Sequence, residues 1–389
     1  MKVLVVCPFV PWPLDSGGRI RTFHLVRALA SEAEATTQVE LWCVADERDP
    51  GPLELELARA IPRTRLFPRS RVSAFERLAR AKVERWFASN ALHDALAERF
   101  RVAPPDLVHV DEMSVLRSIP DAPCPLLVHH SKLDLEFHAL AHGDGAAARF
   151  DRAKLRRLED LAARRARHHV VCSPGDRELL LGRHPLLQVT AVPSGFDPDH
   201  FAPDACGVVE REPGTLLMLG SLDYEPNVDG LEYWVDAIGP LVPATTRLRV
   251  VGRNPTPRVR AACARARERG ARIELVGEVD DVRPELARAQ ALVVPLRIGG
   301  GTRLKIAEAL AMRTPVISTS VGAEGLELGP RHLDLADSPE AFAAAVRRLG
   351  DDPRGTHERV DAGHRKVAEH LAWPQLAARL RAAWRSAIG

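Results

Sequence analysis

The chain has no C-x-x-C pair, no apolar run long enough to span a bilayer, and no excess of charge of either sign. Each absence removes a class of protein. The six cysteines, Cys7, Cys43, Cys124, Cys172, Cys206 and Cys263, mostly lie in or beside apolar runs, so they read as small buried hydrophobes in a reducing compartment. Residues 3–6 near the start are apolar, but Pro8 and Asp15 follow too soon for a signal peptide or a span. A cytoplasmic protein is expected, with any membrane contact peripheral on the inner face. The 54 basic and 52 acidic residues leave a net charge of +2, which excludes the basic footprint of a nucleic-acid binder. Arginine-rich stretches at 63–71 and 149–167 read as solvated helix faces or as a contact with an anionic membrane or acceptor. Neither a complete G-x-G-x-x-G nor a G-x-x-x-x-G-K-[ST] is present, which argues against a dehydrogenase-type dinucleotide fold and against an NTPase.

What is present is rhythm. A chain of 389 residues exceeds one ordinary core, and two domains are expected. Short apolar runs alternate with longer amphipathic stretches, the signature of parallel sheets covered by helices. Strands are expected at 2–7, 39–44, 107–110, 125–129, 168–172 and 189–192, and again at 215–220, 247–252, 272–276, 291–295 and 315–318. The rhythm breaks once, at a Pro- and Gly-bearing stretch. The expected division is therefore 1–203, a linker at 204–214, and 215–372. Trp373, Leu376, Leu380 and Trp384 recur at helical spacing, so residues 373–389 form an amphipathic helix that is free to pack back on the first domain. Two doubly wound domains side by side create a cleft, and ligands of such sheets sit beyond the carboxyl ends of the strands.

Four loops have the residues for chemistry. Asp15-Ser16-Gly17-Gly18-Arg19 opens a helix after the first strand, where backbone N–H groups attract anions. Gly299-Gly300-Gly301-Thr302-Arg303-Leu304-Lys305 bares a row of N–H groups at another helix start, with Glu308 beyond. Arg303 has the fork for a phosphate, and Lys305 adds a point charge. Cations in a first helical turn oppose the helix dipole unless an anion is near, so this loop predicts a diphosphate site. His129 and His130 end a strand, where a histidine either meets a substrate or is satisfied inside. Asp197-Pro198-Asp199 spells D-x-D, but its flanks read as a turn, and no metal site is expected.

Taken together these residues resemble the GT-B retaining glycosyltransferases of family 4, close to sugar transferases of bacterial exopolysaccharide clusters. The stretch Pro8-Phe9-Val10-Pro11-Trp12-Pro13 through Gly17-Gly18-Arg19-Ile20-Arg21 matches that subgroup's opening. Val192-Pro193-Ser194-Gly195-Phe196-Asp197, Gly220-Ser221-Leu222-Asp223-Tyr224-Glu225-Pro226-Asn227 and Gly301-Thr302-Arg303-Leu304-Lys305-Ile306-Ala307-Glu308-Ala309-Leu310 match later motifs, the last being the specific one. The resemblance implies an α/β GT-B fold of two Rossmann-like domains facing a cleft. It implies transfer of a sugar, with retention, from a nucleotide-diphosphate donor to a glycan, lipid-linked or small-molecule acceptor. The donor would be a UDP- or GDP-sugar and no metal would be needed. Glu308 would bind the ribose hydroxyls. Gly299, Gly300, Gly301, Thr302 and Leu304 would cradle sugar and diphosphate, with Arg303 and Lys305 at the charge. His130 would contact the transferred sugar, and Gly17, Gly18 and Arg19 the phosphates or acceptor. Two departures stand out. Gly300 stands where the family has the first of two glutamates, and Ser221 and Pro226-Asn227 replace the usual Arg and Lys of the first donor-domain loop. Arg303 and Lys305 are expected to supply the lost positive charge. A GT-B nucleotide-sugar epimerase, a phosphorylase and a non-catalytic nucleotide-sugar-binding subunit remain as rival readings.

Overall fold

The computed structural model describes residues 1–31, 37–46, 51–143, 145–204, 206–207 and 209–389. The chain forms two compact units, one of residues 1–193 with 373–389, the other of residues 194–372. The break falls between Pro193 and Ser194, ahead of the expected linker. Residues 204–214 lie inside the second unit, because β8 already starts at Glu212 and joins that unit's sheet. Ala205 and Val208 of that stretch lie outside the described residues.

The first unit holds seven parallel strands: β1 Lys2–Cys7, β2 Gln38–Ala45, β3 Thr64–Pro68, β4 Leu107–Asp111, β5 Leu126–His130, β6 His168–Val171 and β7 Val189–Ala191. Their order is β3-β2-β1-β4-β5-β6-β7. Strands β1, β4 and β5 are buried along nearly their whole length, as expected for a sheet covered on both faces. The strand β3 was not expected. Thr-Arg-Leu-Phe-Pro is short, charged and proline-ended, and it is tolerated because it forms the edge. The helix Trp373–Ile388 belongs to this unit. Its stripe is the one read from the spacing, with Trp373, Leu376, Leu380 and Trp384 all buried. It packs against the helix Gly17–Ser31, where the Trp373 and His24 rings stack with centroids 5.6 Å apart.

The second unit holds six strands: β8 Glu212–Leu219, β9 Arg247–Val251, β10 Arg272–Gly277, β11 Ala289–Val294, β12 Val316–Ser318 and β13 Asp334–Leu335, ordered β10-β9-β8-β11-β12-β13. Every ladder is parallel. One apolar layer joins Leu216, Met218, Leu231, Trp234, Val250 and Phe342. The other joins Leu217, Leu292, Val294, Ile306, Leu310 and Val367. In both units the strand order reverses once, between β1 and β4 and between β8 and β11. The loops leaving the carboxyl ends of such a strand pair diverge and open a crevice, which is where doubly wound sheets bind ligands.

Candidate functional site

At the reversal of the second sheet, the loop after β8 meets the loop after β11. Both loops carry residues singled out by sequence. The helix Leu304–Ala311 starts directly behind the glycines, with Arg303 as its cap residue and no side-chain cap on its first N–H groups. Those groups are the donors a helix start offers to an anion.

Lys305 crosses from this helix into the loop after β8. Its Nζ donates to Asn227 Oδ1 at 2.9 Å, and the Asn227 amide in turn donates to Ser221 O at 2.8 Å. The crossing depends on Gly220, whose φ is 144°. A Cβ there would stand 2.8 Å from Lys305 Nζ and 2.6 Å from Asn227 Nδ2. Positive charge therefore reaches the loop after β8, whose residues 220–224 carry no Arg or Lys. Arg253, from the loop after β9, reaches the same place, its Nε donating to Ser221 Oγ at 3.1 Å. Burial, helped by the Arg303 charge, lowers the Lys305 ammonium to about 7. An anion beside it would restore the charged form.

Arg303 does something different from the expected fork. Its Nη1 donates to the carbonyls of Gly300 and Gly301, at 2.5 and 2.8 Å, and the side chain is buried. The guanidinium closes the glycine loop onto itself by holding two of its carbonyls. Gly299, with φ 134°, makes room for it: a Cβ there would lie 2.6 Å from Arg303 Nη2. The Thr302 hydroxyl accepts from Ser194 N at 2.7 Å and anchors the loop's far end. Gly300 faces open space, with nothing within 4 Å of where its Cβ would be. Crowding therefore does not forbid a side chain at that position.

Glu308 is buried on the same helix, and burial raises its carboxyl to about 7. The surface ion pair with Lys305 that their spacing allows is not formed; among the described residues no ion pair within 4.0 Å joins them. A buried carboxyl of this kind is a partner for ligand hydroxyl groups.

The first unit's expected residues separate. Gly17 and Gly18 form the first turn of the helix Gly17–Ser31, and Arg19 pairs with the Asp15 carboxylate at 3.0 Å near the surface. His130 turns into the unit, its Nε2 3.0 Å from His169 Nδ1 with the rings stacked. Burial, reinforced by His169, holds it well below the usual imidazole range. His130 Nε2 is thus taken up by His169 inside the unit, and a sugar contact through that nitrogen would require the ring to leave His169. Its neighbour His129 lies in a network that sequence reasoning missed. Arg21 Nη2 meets His129 Nε2 at 2.8 Å and donates to Val192 O at 2.6 Å, while Asp111 takes a hydrogen bond from Thr22 at 2.5 Å and lies 3.3 Å from His129 Nδ1. Burial opposes ionisation of Asp111, but these partners outweigh it and hold the carboxyl below its usual range.

His109, Asp111 and His129 present ligand atoms within 4.8 Å of one another. Both His129 nitrogens are already engaged, and the Arg21 guanidinium would confront a cation there. Asp197-Pro198-Asp199 is a turn, with Asp197 Oδ1 accepting from Asp199 N at 3.1 Å.

The residues that carry this geometry match a known family. Residues 213–352 match the model described as glycosyl transferases group 1. This segment is a glycosyl transferases group 1 domain. It contains the β8 loop, the glycine loop, Lys305 and Glu308. The chain is 25% identical to glycogen synthase of Mycobacterium tuberculosis over 197 residues, 49% of this chain and 47% of that protein. It therefore spans about half the length of the curated relatives it matches. Among solved structures, sucrose-phosphate synthase from Thermosynechococcus elongatus matches at TM-score 0.75 and 19% identity, over 99% of this chain and 98% of that one. Anabaena HepE, solved in complex with UDP, matches at TM-score 0.68 and 12% identity, over 99% and 100%. Trehalose 6-phosphate synthase from Burkholderia multivorans matches at 0.68 and 13%, over 99% and 98%. The fold is that of the GT-B glycosyltransferases, two Rossmann-like α/β units with parallel sheets.

Proposed function

We propose that the chain is a glycosyltransferase that binds a nucleoside-diphosphate sugar at the β8–β11 reversal and transfers the sugar with retention to a hydroxyl acceptor. One observation carries this reading. The ammonium of Lys305 is delivered into a loop that lacks its own cation, beside an uncapped helix start and one turn before a buried carboxyl. Breaking a glycosyl–phosphate bond builds negative charge on the departing diphosphate, and fixed N–H donors with a cation stabilise it. The departing phosphate oxygen then takes the acceptor's proton on the same face, so the configuration is kept and no metal is called upon. The acceptor is a glycan, lipid-linked or small-molecule hydroxyl compound of the kind used in polysaccharide assembly. UDP is the nucleotide to try first, since HepE was solved with UDP and with UDP-glucose.

The test is calorimetry with UDP-glucose across pH 5.5–8.5. Bound diphosphate raises Lys305 above its free value of about 7, so binding takes up a proton on the alkaline side. Ribose hydroxyls favour ionised Glu308, lowering it below about 7, so binding releases a proton on the acid side. Affinity is expected to peak near pH 7 and to fall on each side by up to about tenfold per pH unit. The sign of proton exchange, read from heats in buffers of different ionisation enthalpy, should reverse across the peak. A flat profile removes the donor from this site, and epimerised UDP-glucose without an acceptor turns the reading to an epimerase.

A membrane-held acceptor is favoured by a surface on the first unit. Phe75, Leu78, Trp86 and Phe150 are 81%, 66%, 53% and 56% exposed. Arg71, Arg77 and Lys82 lie exposed among them, while the nearby Glu76 and Glu84 are engaged by Arg80 and Arg117. Lys154 ties the helices Ala74–Ala79 and Ala146–Arg165 together through Arg77 O at 3.3 Å, so the aromatics share one scaffold. No helix among the described residues is long and apolar enough to cross a membrane. Exposed aromatics ringed by cations suit the interface of an anionic bilayer. Sedimentation with phosphatidylglycerol vesicles should show binding that fades with salt. Phe75→Ser with Trp86→Ser should weaken it by about tenfold or more. Equal partition onto neutral vesicles would discard this surface.

A further inference from the structure

The first sheet has its own reversal, between β1 and β4. At the carboxyl end of β4, Glu112 adopts φ 79° and ψ 135°. Only glycine enters that region without strain, because a Cβ there crowds the backbone. Glu112 is held in place from both sides. Its N–H donates to His129 O at 2.9 Å, and its carboxylate accepts from Ser131 Oγ. The residue is only half-buried and contributes to no apolar core. A glycine would satisfy the backbone with less strain, so packing does not explain a glutamate there. The adjacent Asp111 is fully occupied by Thr22 and His129 and is itself buried. Glu112 is therefore the carboxylate that the strand end presents at the crevice, and strain of this kind collects where a side chain must be aimed.

We propose that Glu112, with Ser131, binds hydroxyl groups of a sugar acceptor at the carboxyl edge of the first sheet. The inference rests on the glycosyltransferase reading above. Among the described residues the carboxylate hydrogen-bonds Ser131 alone. One carboxylate oxygen is thus left for a sugar hydroxyl. Ser131 Oγ, having given its proton to Glu112, keeps lone pairs that accept from a second hydroxyl. Two acceptors side by side match a vicinal diol. The carboxylate of Glu112 also orients the incoming hydroxyl without needing to remove its proton.

Glu112→Gly and Glu112→Gln separate aim from fold. Relief of strain should raise the thermal midpoint of Glu112→Gly by about 2–4 °C, whereas Glu112→Gln, which keeps the strained backbone, should stay within about 1 °C of wild type. Saturation-transfer NMR with glucose as the probe, in the presence of UDP, should show glucose held by the wild type and weakened about tenfold or more in both variants. UDP affinity should remain within about twofold throughout, since the donor loops lie in the other unit. A lower midpoint for Glu112→Gly makes the residue structural and overturns the proposal. Glucose retained by both variants, or never held by the wild type, overturns it as well. Failure of UDP to bind the wild type would bring down the donor reading itself, and this proposal with it.

Discussion

Lys305→Met is expected to lower turnover with a UDP-sugar donor by about 10²–10³-fold, the loss that follows removal of one charged stabiliser of a developing anion. Methionine keeps the length of the side chain and suits the buried stretch beside Asn227. The fold should therefore survive, and its thermal midpoint should rise if anything, since a disfavoured buried ammonium is gone. The same variant should lose the alkaline limb of the pH profile, because that limb is the titration of Lys305 at about 7. Steady-state kinetics and calorimetry read the two effects separately. An intact alkaline limb would assign the titration to another group, and unchanged turnover would leave the diphosphate without its cation.

Arg303→Lys distinguishes two ways in which an arginine serves a phosphate site. If the guanidinium acts as a free charge, lysine should replace it with a modest loss. The structure shows it bridging the carbonyls of Gly300 and Gly301. An ammonium is a point donor and does not reproduce a planar fork. Arg303→Lys is therefore expected to lose about 10²-fold in turnover, close to Arg303→Ala, because either change lets the glycine loop open and misplaces its N–H donors. Activity near wild type in the lysine variant would return Arg303 to the phosphate and take it from the loop.

The fold was legible because burial dictates its pattern. Continuous apolar runs such as residues 3–7 of β1 and 291–294 of β11 have one stable home, the middle of a covered sheet. The elements missed were those with little to bury: the charged edge strand Thr64–Pro68 and the two-residue strand Asp334–Leu335. The break between units was displaced because proline and glycine mark a turn, and turns also occur inside a unit. At the candidate site, sequence singled out the glycine loop and Lys305, since a cation in a first helical turn and a glycine run leave local marks, and the resemblance added a role for Glu308. It named Asn227 only as a departure from the family pattern and did not foresee its contact with Lys305 across 78 residues of chain. Nor did it locate Glu112, whose significance is a backbone angle and not a residue type. His130 shows the converse. A histidine at a strand end looks the same on paper whether it faces a ligand or a second histidine, and only the register of β5 on β6 decides.

The return of the helix Trp373–Ile388 to the first unit has a bearing on the order in which the protein is made. Every residue of the second unit leaves the ribosome before Trp384 can reach His109, where its indole N–H donates at 3.2 Å. The second unit need not wait. Its two ends already meet, Phe196 N–H donating to Leu371 O at 3.1 Å and Phe196 pairing with Ala372. Its chain thus closes on itself like an inserted cassette. During synthesis the second unit is complete first, while the first unit stays open along the helix Gly17–Ser31 until the helix Trp373–Ile388 arrives.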